Sequence, residues 1–240
     1  MSVKCDMKKS DKGEDTPAVS VVIPAFNEEL TVGKVVQRTC QVLAELNLSF
    51  EVIVVDDGSR DGTAMVCEMS GAKVVRNGRR MGKGTALRKA FDICRGDVIV
   101  TLDADGSHRP EEIPSLMAPI LNGGFDVALG TRAFGLGSPL RVRFSHLGNL
   151  IFSFLISLFS GERVFDSQCG FRAFRSHVVK GMDISSRRFE IESEMLIKFV
   201  KKKCRFTEVP ISGKFSGSSN VNVLADGFLI LGKILSCFAS

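Results

Sequence analysis

The sequence predicts an α/β fold built on a mostly parallel central sheet flanked by helices. Three observations carry this. Short apolar runs alternate with stretches of helical spacing from Val19 onward. The first runs stop at a turn signal, Pro24 after Val19–Ile23 and Asp56-Asp57-Gly58 after Phe50–Val55. The polar residues gather just after the runs, where a parallel sheet presents its ligand-binding end: Asn27-Glu28, Asp56-Asp57, Asp103 with Asp105, and Thr131-Arg132.

Taken in order, Val19–Ile23 is a strand closed by Pro24. Leu30–Leu46 is a helix, with Val32, Val35, Val36, Val42, Leu43 and Leu46 on one stripe. Phe50–Val55 is a second strand, ended by Asp56-Asp57-Gly58. Asp61-Gly62-Thr63 opens a short helix to about Ser70. Val74-Val75 is a brief strand, Gly84–Cys94 a helix, Asp97–Leu102 a strand, and Pro110–Leu121 a helix that tolerates Pro114 in its first turns. Phe125–Leu129 is a further strand. After Arg132 the rhythm changes. Gly135–Pro139 is a loop, Val142–Ser160 one or two apolar helices, and Ser167–Phe174 a turn and strand. Glu190–Lys203 is a helix, Phe206–Ile211 a strand, Ser212–Asn220 a Gly/Ser-rich loop, and Val223–Phe238 a final apolar helix.

At 240 residues, 44% hydrophobic and 25% charged, the chain suits one domain with a substantial core. Residues 1–16 read as a flexible tail and 17–240 as a single domain. The net charge is +5. The tail's Lys4, Lys8, Lys9 and Lys12 cancel its Asp6, Asp11, Glu14 and Asp15, so the excess lies in the folded part and favours anionic partners. Nucleic acid is not among those expected: the basic residues are scattered, and Trp and Tyr are absent. Seven cysteines, with no C-x-x-C pair, point to a reducing compartment rather than a disulfide framework or zinc site. With three separated histidines, any metal should be oxygen-bound. No stretch reaches the ~20 apolar residues of a membrane span.

The sharpest constellation is Leu102-Asp103-Ala104-Asp105-Gly106, directly after an apolar strand. Two carboxylates one residue apart at a strand end suit Mg²⁺ or Mn²⁺, hard cations usually shared with substrate phosphates. A plain polar turn is the competing interpretation. Asp56-Asp57 at the neighbouring strand end weighs against it, because clustered carboxylates repel without a cation or donors between them. Gly78–Thr85 is not a P-loop: three residues, not four, separate Gly78 from Gly82, and Gly84 stands where Ser or Thr is needed. Lys83 can still reach a diphosphate from there.

These residues resemble a known family. Val19-Ser20-Val21-Val22-Ile23-Pro24-Ala25-Phe26-Asn27-Glu28, Val54-Val55-Asp56-Asp57-Gly58-Ser59, Gly82-Lys83-Gly84, Asp103-Ala104-Asp105-Gly106 and Gly130-Thr131-Arg132 are similar to the inverting family 2 glycosyltransferases of GT-A fold. Asp166-Ser167-Gln168-Cys169-Gly170-Phe171 and Phe189-Glu190-Ile191-Glu192-Ser193-Glu194-Met195 resemble the dolichyl-phosphate sugar synthases, which move a sugar from a nucleotide donor to a polyprenyl phosphate. The resemblance implies that 17–132 binds the nucleotide-sugar and that 133–240 faces the acceptor and the membrane. Pro24, Ala25, Phe26 and Glu28 would frame the base with Asp56 and Asp57. Asp103 would sit near the ribose and metal with Ala104 beside it, Asp105 would bind the metal, and Arg132 would face the donor phosphates. Glu194 matches an acidic position of the subgroup, and Glu192 one of its glucosyl branch. Simple pairing along a helix face is the other interpretation of Glu190, Glu194 and Lys198.

A phosphate acceptor needs no general base, because a phosphate monoester with a second pKa of about 6 is already largely dianionic at neutral pH. The site then supplies position and charge. Arg141 and Arg143, just ahead of the apolar stretch, are the candidates for the acceptor phosphate. That stretch and Val223–Phe238 are the expected membrane-facing helices, placing the protein peripherally on the cytoplasmic face of a membrane. Two departures stand out. Ser107 replaces a Gln usual in the mannosyl branch, which tilts the donor towards a UDP-sugar over GDP-mannose. Gly217-Ser218-Ser219-Asn220 lacks the Lys of the family's terminal motif, with Lys214 nearby. The alternative function is transfer to a soluble or glycan hydroxyl, with Glu192 or Glu194 as base.

Overall fold

The computed structural model describes residues 16–132, 144–212 and 223–239. Among the described residues, seven strands form one sheet in the order β3-β2-β1-β4-β6-β5-β7. They are β1 (Val19–Ala25), β2 (Phe50–Asp56), β3 (Lys73–Arg76), β4 (Val98–Thr101), β5 (Val127–Thr131), β6 (Arg172–Arg175) and β7 (Phe206–Pro210). Only β6 runs antiparallel to its neighbours. The helices are α1 (Val32–Glu45), α2 (Thr63–Met69), α3 (Lys83–Ile93), α4 (Ile113–Asn122), α5 (Phe144–Ser160), α6 (Ser176–Val179), α7 (Ile191–Lys201) and α8 (Val223–Ala239).

Both faces of the sheet are covered, which is why the strands read as apolar runs and not as strict alternation. All seven residues of β2 are buried. On one face Val19, Val21 and Ile23 join Val52 and Val54 beneath Val32, Val36 and Leu43 of α1 and Ile113, Leu116 and Ile120 of α4. On the other, Val22, Ile53, Val55 and Ile99 pack against Ala86, Leu87, Ala90 and Phe91 of α3 and Met195, Leu196 and Phe199 of α7. Ile156 of α5 and Ile230 and Ile234 of α8 close the second layer.

Register places the functional end. Ala25 pairs with Asp56, and Asp56 with Arg76, so β1, β2 and β3 finish level. Thr101 lies opposite Val22, and the Leu102 amide donates to the Val22 carbonyl at 3.0 Å. Asp103 therefore emerges beside the end of β1.

The structure shifts some boundaries. The expected helix at Pro110 begins as a 3-10 turn over Pro110–Glu112, and α4 follows. Strand β5 runs two residues beyond Leu129, because Gly130 and Thr131 pair with Val209 and Pro210 of β7, a partner invisible locally. Helix α6, a single turn, is too short to show a period. Cys67, Cys94, Cys169, Cys204 and Cys237 form no disulfide, whereas Cys40 is disulfide-bonded, a single cross-link where the cysteine pattern pointed to a reducing compartment. Arg141, Arg143, Lys214, the 217–220 loop and residues 1–15 lie outside the described residues.

Candidate active site

Strand order reverses between β1 and β4: β2 and β3 lie to one side, β6, β5 and β7 to the other. The crevice at such a switch point is where open α/β sheets bind ligands. The loops after β1 and β2 are zipped together on its rim. The Asn27 amide donates to Ser59 Oγ at 2.9 Å, the Arg60 amide to Asn27 Oδ1 at 2.9 Å and the Glu28 amide to Thr63 Oγ1 at 2.8 Å. Pro24, Phe26 and Glu28 are half-buried here and Ala25 is buried. The Arg80 guanidinium lies 4.2 Å over the Phe26 ring, a cation–π contact.

Asp56 and Asp57 are both buried. Asp56 accepts from the Ser59 amide at 2.9 Å and faces Arg76 at 3.3 Å. Asp57 accepts from Asn77 Nδ2 at 2.8 Å, the Met81 amide at 2.9 Å and the Gly82 amide at 2.7 Å. In this structure these carboxylates organise the loop into α3. Gly82 stands at φ +98°, and a Cβ there would meet the Arg187 carbonyl oxygen at 2.3 Å, so only glycine fits. The turn delivers Lys83 to the crevice.

Lys83 is the centre of the site. Its ammonium is 2.7 Å from Asp103 Oδ1 and 2.7 Å from Glu192 Oε1. Burial would lower its pKa, but the two carboxylates outweigh it and hold the ammonium above its usual range. Burial likewise opposes ionisation of Asp103, yet Lys83 and His108 keep its carboxyl well below the usual range. His108 Nε2 is 3.4 Å from Asp103 Oδ2, and its buried ring stacks on Phe171 at 5.3 Å. Ala104 is buried behind the two aspartates. Asp105 is half-buried and accepts from the Ser107 amide at 2.9 Å.

The loop 166–171 backs this cluster. Arg172, buried, donates to the carbonyls of Cys169, Glu192 and Ser167 at 2.8, 2.8 and 2.7 Å. The Thr101 hydroxyl donates to the Gly170 carbonyl at 2.7 Å, which brings Gly170 against Lys83. Arg132, expected to face donor phosphates, grips Asp166: Nε to Oδ2 at 2.7 Å and Nη2 to Oδ1 at 2.8 Å. Burial would lower its pKa, and Asp166 raises it above its usual range. The fork-to-fork geometry is the strong form of the pair.

The structure separates Glu192 from Glu194. Glu192 meets Lys83. Glu194 accepts from the Ser185 amide and hydroxyl at 3.1 Å each, the Ser186 amide at 2.7 Å and Lys198 at 2.9 Å, and Lys233 lies 3.8 Å away. Burial alone would raise its pKa, but these donors pull it down to about 2. Glu194 anchors the 185–188 loop, whose Arg187 carbonyl accepts from the Gly84 amide at 2.9 Å. It supports α3 indirectly. His108 and Arg172 had escaped sequence reading, and Gly170 was legible as part of a motif but not as a neighbour of Lys83 and Asp103. Of these, the histidine just beyond the aspartate pair was the most accessible signal.

The donor set suits a hard divalent cation. Glu28 is raised by burial and further by the nearby charges of Asp105, Asp61 and Asp103, although Thr31 opposes this. A cation among Asp103 and Asp105 would relieve that crowding. Among the described residues no group of three metal-ligating side chains converges. Two carboxylates with phosphate and water oxygens is the usual arrangement for Mg²⁺.

The model for Glycosyl transferase family 2 matches residues 20–182. The chain is 32% identical over 247 residues to the UDP-N-acetylglucosamine–dolichyl-phosphate N-acetylglucosaminyltransferase of Methanococcus voltae, covering 90% of this chain and 94% of that one. It is 32% identical over 222 residues to the undecaprenyl-phosphate 4-deoxy-4-formamido-L-arabinose transferase of Pseudomonas fluorescens; that match covers 87% of this chain and spans 63% of the relative's length. Among solved structures, the glucosyl-3-phosphoglycerate synthase of Mycobacterium tuberculosis, in complex with uridine diphosphate, superposes with a TM-score of 0.75 at 24% identity, over 93% of this chain and 80% of that one. The same enzyme has been crystallised with Mn²⁺ and with Mg²⁺.

Proposed function

Because the chain belongs to glycosyl transferase family 2, we propose that this GT-A enzyme transfers a sugar, with inversion, from a nucleotide-sugar to dolichyl or another polyprenyl phosphate. A UDP-sugar is the favoured donor, and Mg²⁺ or Mn²⁺ the cofactor. Two relatives named for polyprenyl-phosphate acceptors support the acceptor class. The UDP-linked relative and the uridine-diphosphate complex support the donor.

One observation carries the phosphate acceptor over a hydroxyl. Glu194, a candidate base for a hydroxyl, has its oxygens occupied and its pKa pulled down to about 2, far from the neutral value that suits proton removal. Glu192 Oε1 is held by Lys83. An acceptor already ionised requires neither. The second reading, a hydroxyl acceptor with Glu192 as base, draws on its Oε2, which is buried without a hydrogen-bond partner.

The crevice residues would divide the work. Phe26 and Arg80 frame the rim where the base would lie, and Lys83 reaches the diphosphate from the start of α3. Asp103 and Asp105 would hold the cation, which when bound neutralises charge on the departing diphosphate. Arg141 and Arg143 remain the candidates for the acceptor phosphate.

The acceptor implies a membrane surface, and we place the enzyme peripherally on its cytoplasmic face. Leu150, Ile151, Phe154 and Leu158 of α5, with Phe228, Leu229 and Leu235 of α8, are exposed. The two helices pack together through Phe159 and Phe238, whose rings lie 5.2 Å apart. Among the described residues no helix is long and apolar enough to cross a membrane. An apolar surface of this kind suits lying in a lipid interface.

The test is a donor screen of UDP- and GDP-sugars with Mg²⁺ or Mn²⁺, run against a polyprenyl phosphate and against soluble sugar acceptors. Lipid-dependent release of one nucleotide is expected. Turnover with a soluble hydroxyl acceptor alone would transfer the assignment to the second reading.

A further inference from the structure

Lys83 rests on an oxygen that a divalent cation would need. Its ammonium is 2.7 Å from Asp103 Oδ1 and is enclosed on another side by Gly170, where a Cβ would come within 2.7 Å of Nζ and 2.8 Å of Asp103 Oδ2. A divalent cation taking Asp103 Oδ1 would compete with the ammonium for that oxygen, and the two positive charges repel at such distances in a site largely shielded from water. For the cation to settle there, Lys83 has to leave that oxygen.

The site holds places for it to go. Glu192 already accepts from Lys83 through Oε1, and its buried Oε2 has no hydrogen-bond partner. An ammonium carries three donors and can close on both oxygens. A donor diphosphate entering the crevice offers further anionic oxygens. A cation arriving alone must break the Lys83–Asp103 pair and brings no replacement anion. A cation arriving with a diphosphate brings one.

We propose that the Lys83 ammonium is a placeholder for the divalent cation on Asp103, so that cation binding depends on the donor diphosphate drawing Lys83 away towards itself and Glu192. This rests on the reading that Asp103 helps hold a donor-linked cation. Lys83 is then more than a diphosphate contact: it couples the two ligands. The coupling is reciprocal by linkage, so the cation strengthens donor binding by the same factor.

The test measures Mn²⁺ binding to the full chain by electron paramagnetic resonance, with no nucleotide and with UDP or GDP. Wild type is expected to bind Mn²⁺ weakly alone and at least ~10-fold more tightly with the matching nucleotide. Lys83→Met is expected to bind Mn²⁺ alone ~10-fold more tightly than wild type. Arg88→Met removes a charge from the same helix; Arg88 donates to the Ile184 carbonyl instead of Asp103, and its loss should change the affinity by less than about 2-fold. Lys83→Met binding no more tightly than Arg88→Met overturns the proposal. A crystal structure of wild type with Mn²⁺ and nucleotide needs no variant. Lys83 is expected off Asp103, on Glu192 or the diphosphate, and an ammonium still touching Asp103 beside the cation overturns the proposal. Wild type that binds no Mn²⁺ even with either nucleotide overturns the metal reading itself, and the placeholder with it.

Discussion

Gly170 stands so close to Asp103 that a single methyl group would not fit between them: a Cβ would lie 2.8 Å from Oδ2 and 3.1 Å from Oδ1. The glycine is held there by the Thr101 hydroxyl and by Arg172 beneath the loop. Gly170→Ala should therefore push Lys83 and Asp103 apart without disturbing the core. A displacement of this size costs up to ~100-fold in rate when it moves reacting groups. The expected result is kcat/KM lowered ~10–100-fold with the melting temperature nearly unchanged, measured by donor turnover and calorimetry.

Asp105→Ala should abolish transfer and the metal-dependent part of donor binding while the fold survives. The residue is half-buried on a loop, where its carboxylate accepts from the Ser107 amide. Nucleotide titration with and without Mn²⁺ reads the effect. A variant of near-normal rate would remove Asp105 from the metal site.

Glu194→Gln should act on stability far more than on chemistry. Loss of charge-assisted bonds from Ser186 and Lys198 should destabilise by about 1–3 kcal/mol. The folded fraction should keep its rate, unlike the ~10²–10⁴-fold loss when a general base is removed. The pH dependence has a definite sign. The folded pKa is depressed from 4.5 to about 2, so the stabilisation is full above 4.5 and lost as pH falls towards 2. Denaturation midpoints of wild type and variant should converge over that window.

If the acceptor is a phosphate, activity should rise through pH ~6 and level off above it, following the acceptor's second ionisation. The profile should persist in Glu192→Gln. A profile abolished by that change, with both substrates still bound, would identify Glu192 as a base.

Phe154→Ser together with Phe228→Ser should weaken co-sedimentation with anionic liposomes. Both side chains are well exposed, 65% and 75%, so the fold should be unaffected. Wild type that stays wholly in the supernatant would remove the membrane role of α5 and α8.

Much of this was legible without coordinates. The apolar runs of β1 and β2, the spacing of α1 and the Asp-Ala-Asp-Gly turn are properties of neighbouring residues, and each appears where expected. The Asp57 carboxylate was legible as a site residue but not as the clamp on Gly82, because its donors come from a loop beyond the next helix and strand. Arg132 was similarly legible as a cation at a strand end. Its partner Asp166 is distant in sequence, so the ion pair that holds it was not.

The sequence by itself determined the alternation of strand and helix, the parallel sheet and the carboxylates at its functional end, since periodicity and turn chemistry are written locally. Only the tertiary structure decided which of those charges meet. Glu192 and Glu194 are two apart on α7, and residues so spaced point to nearly opposite sides of a helix. One therefore reaches Lys83 in the crevice while the other turns to Ser185, Ser186 and Lys198. The side each takes follows from how α7 packs on the sheet through Met195, Leu196 and Phe199.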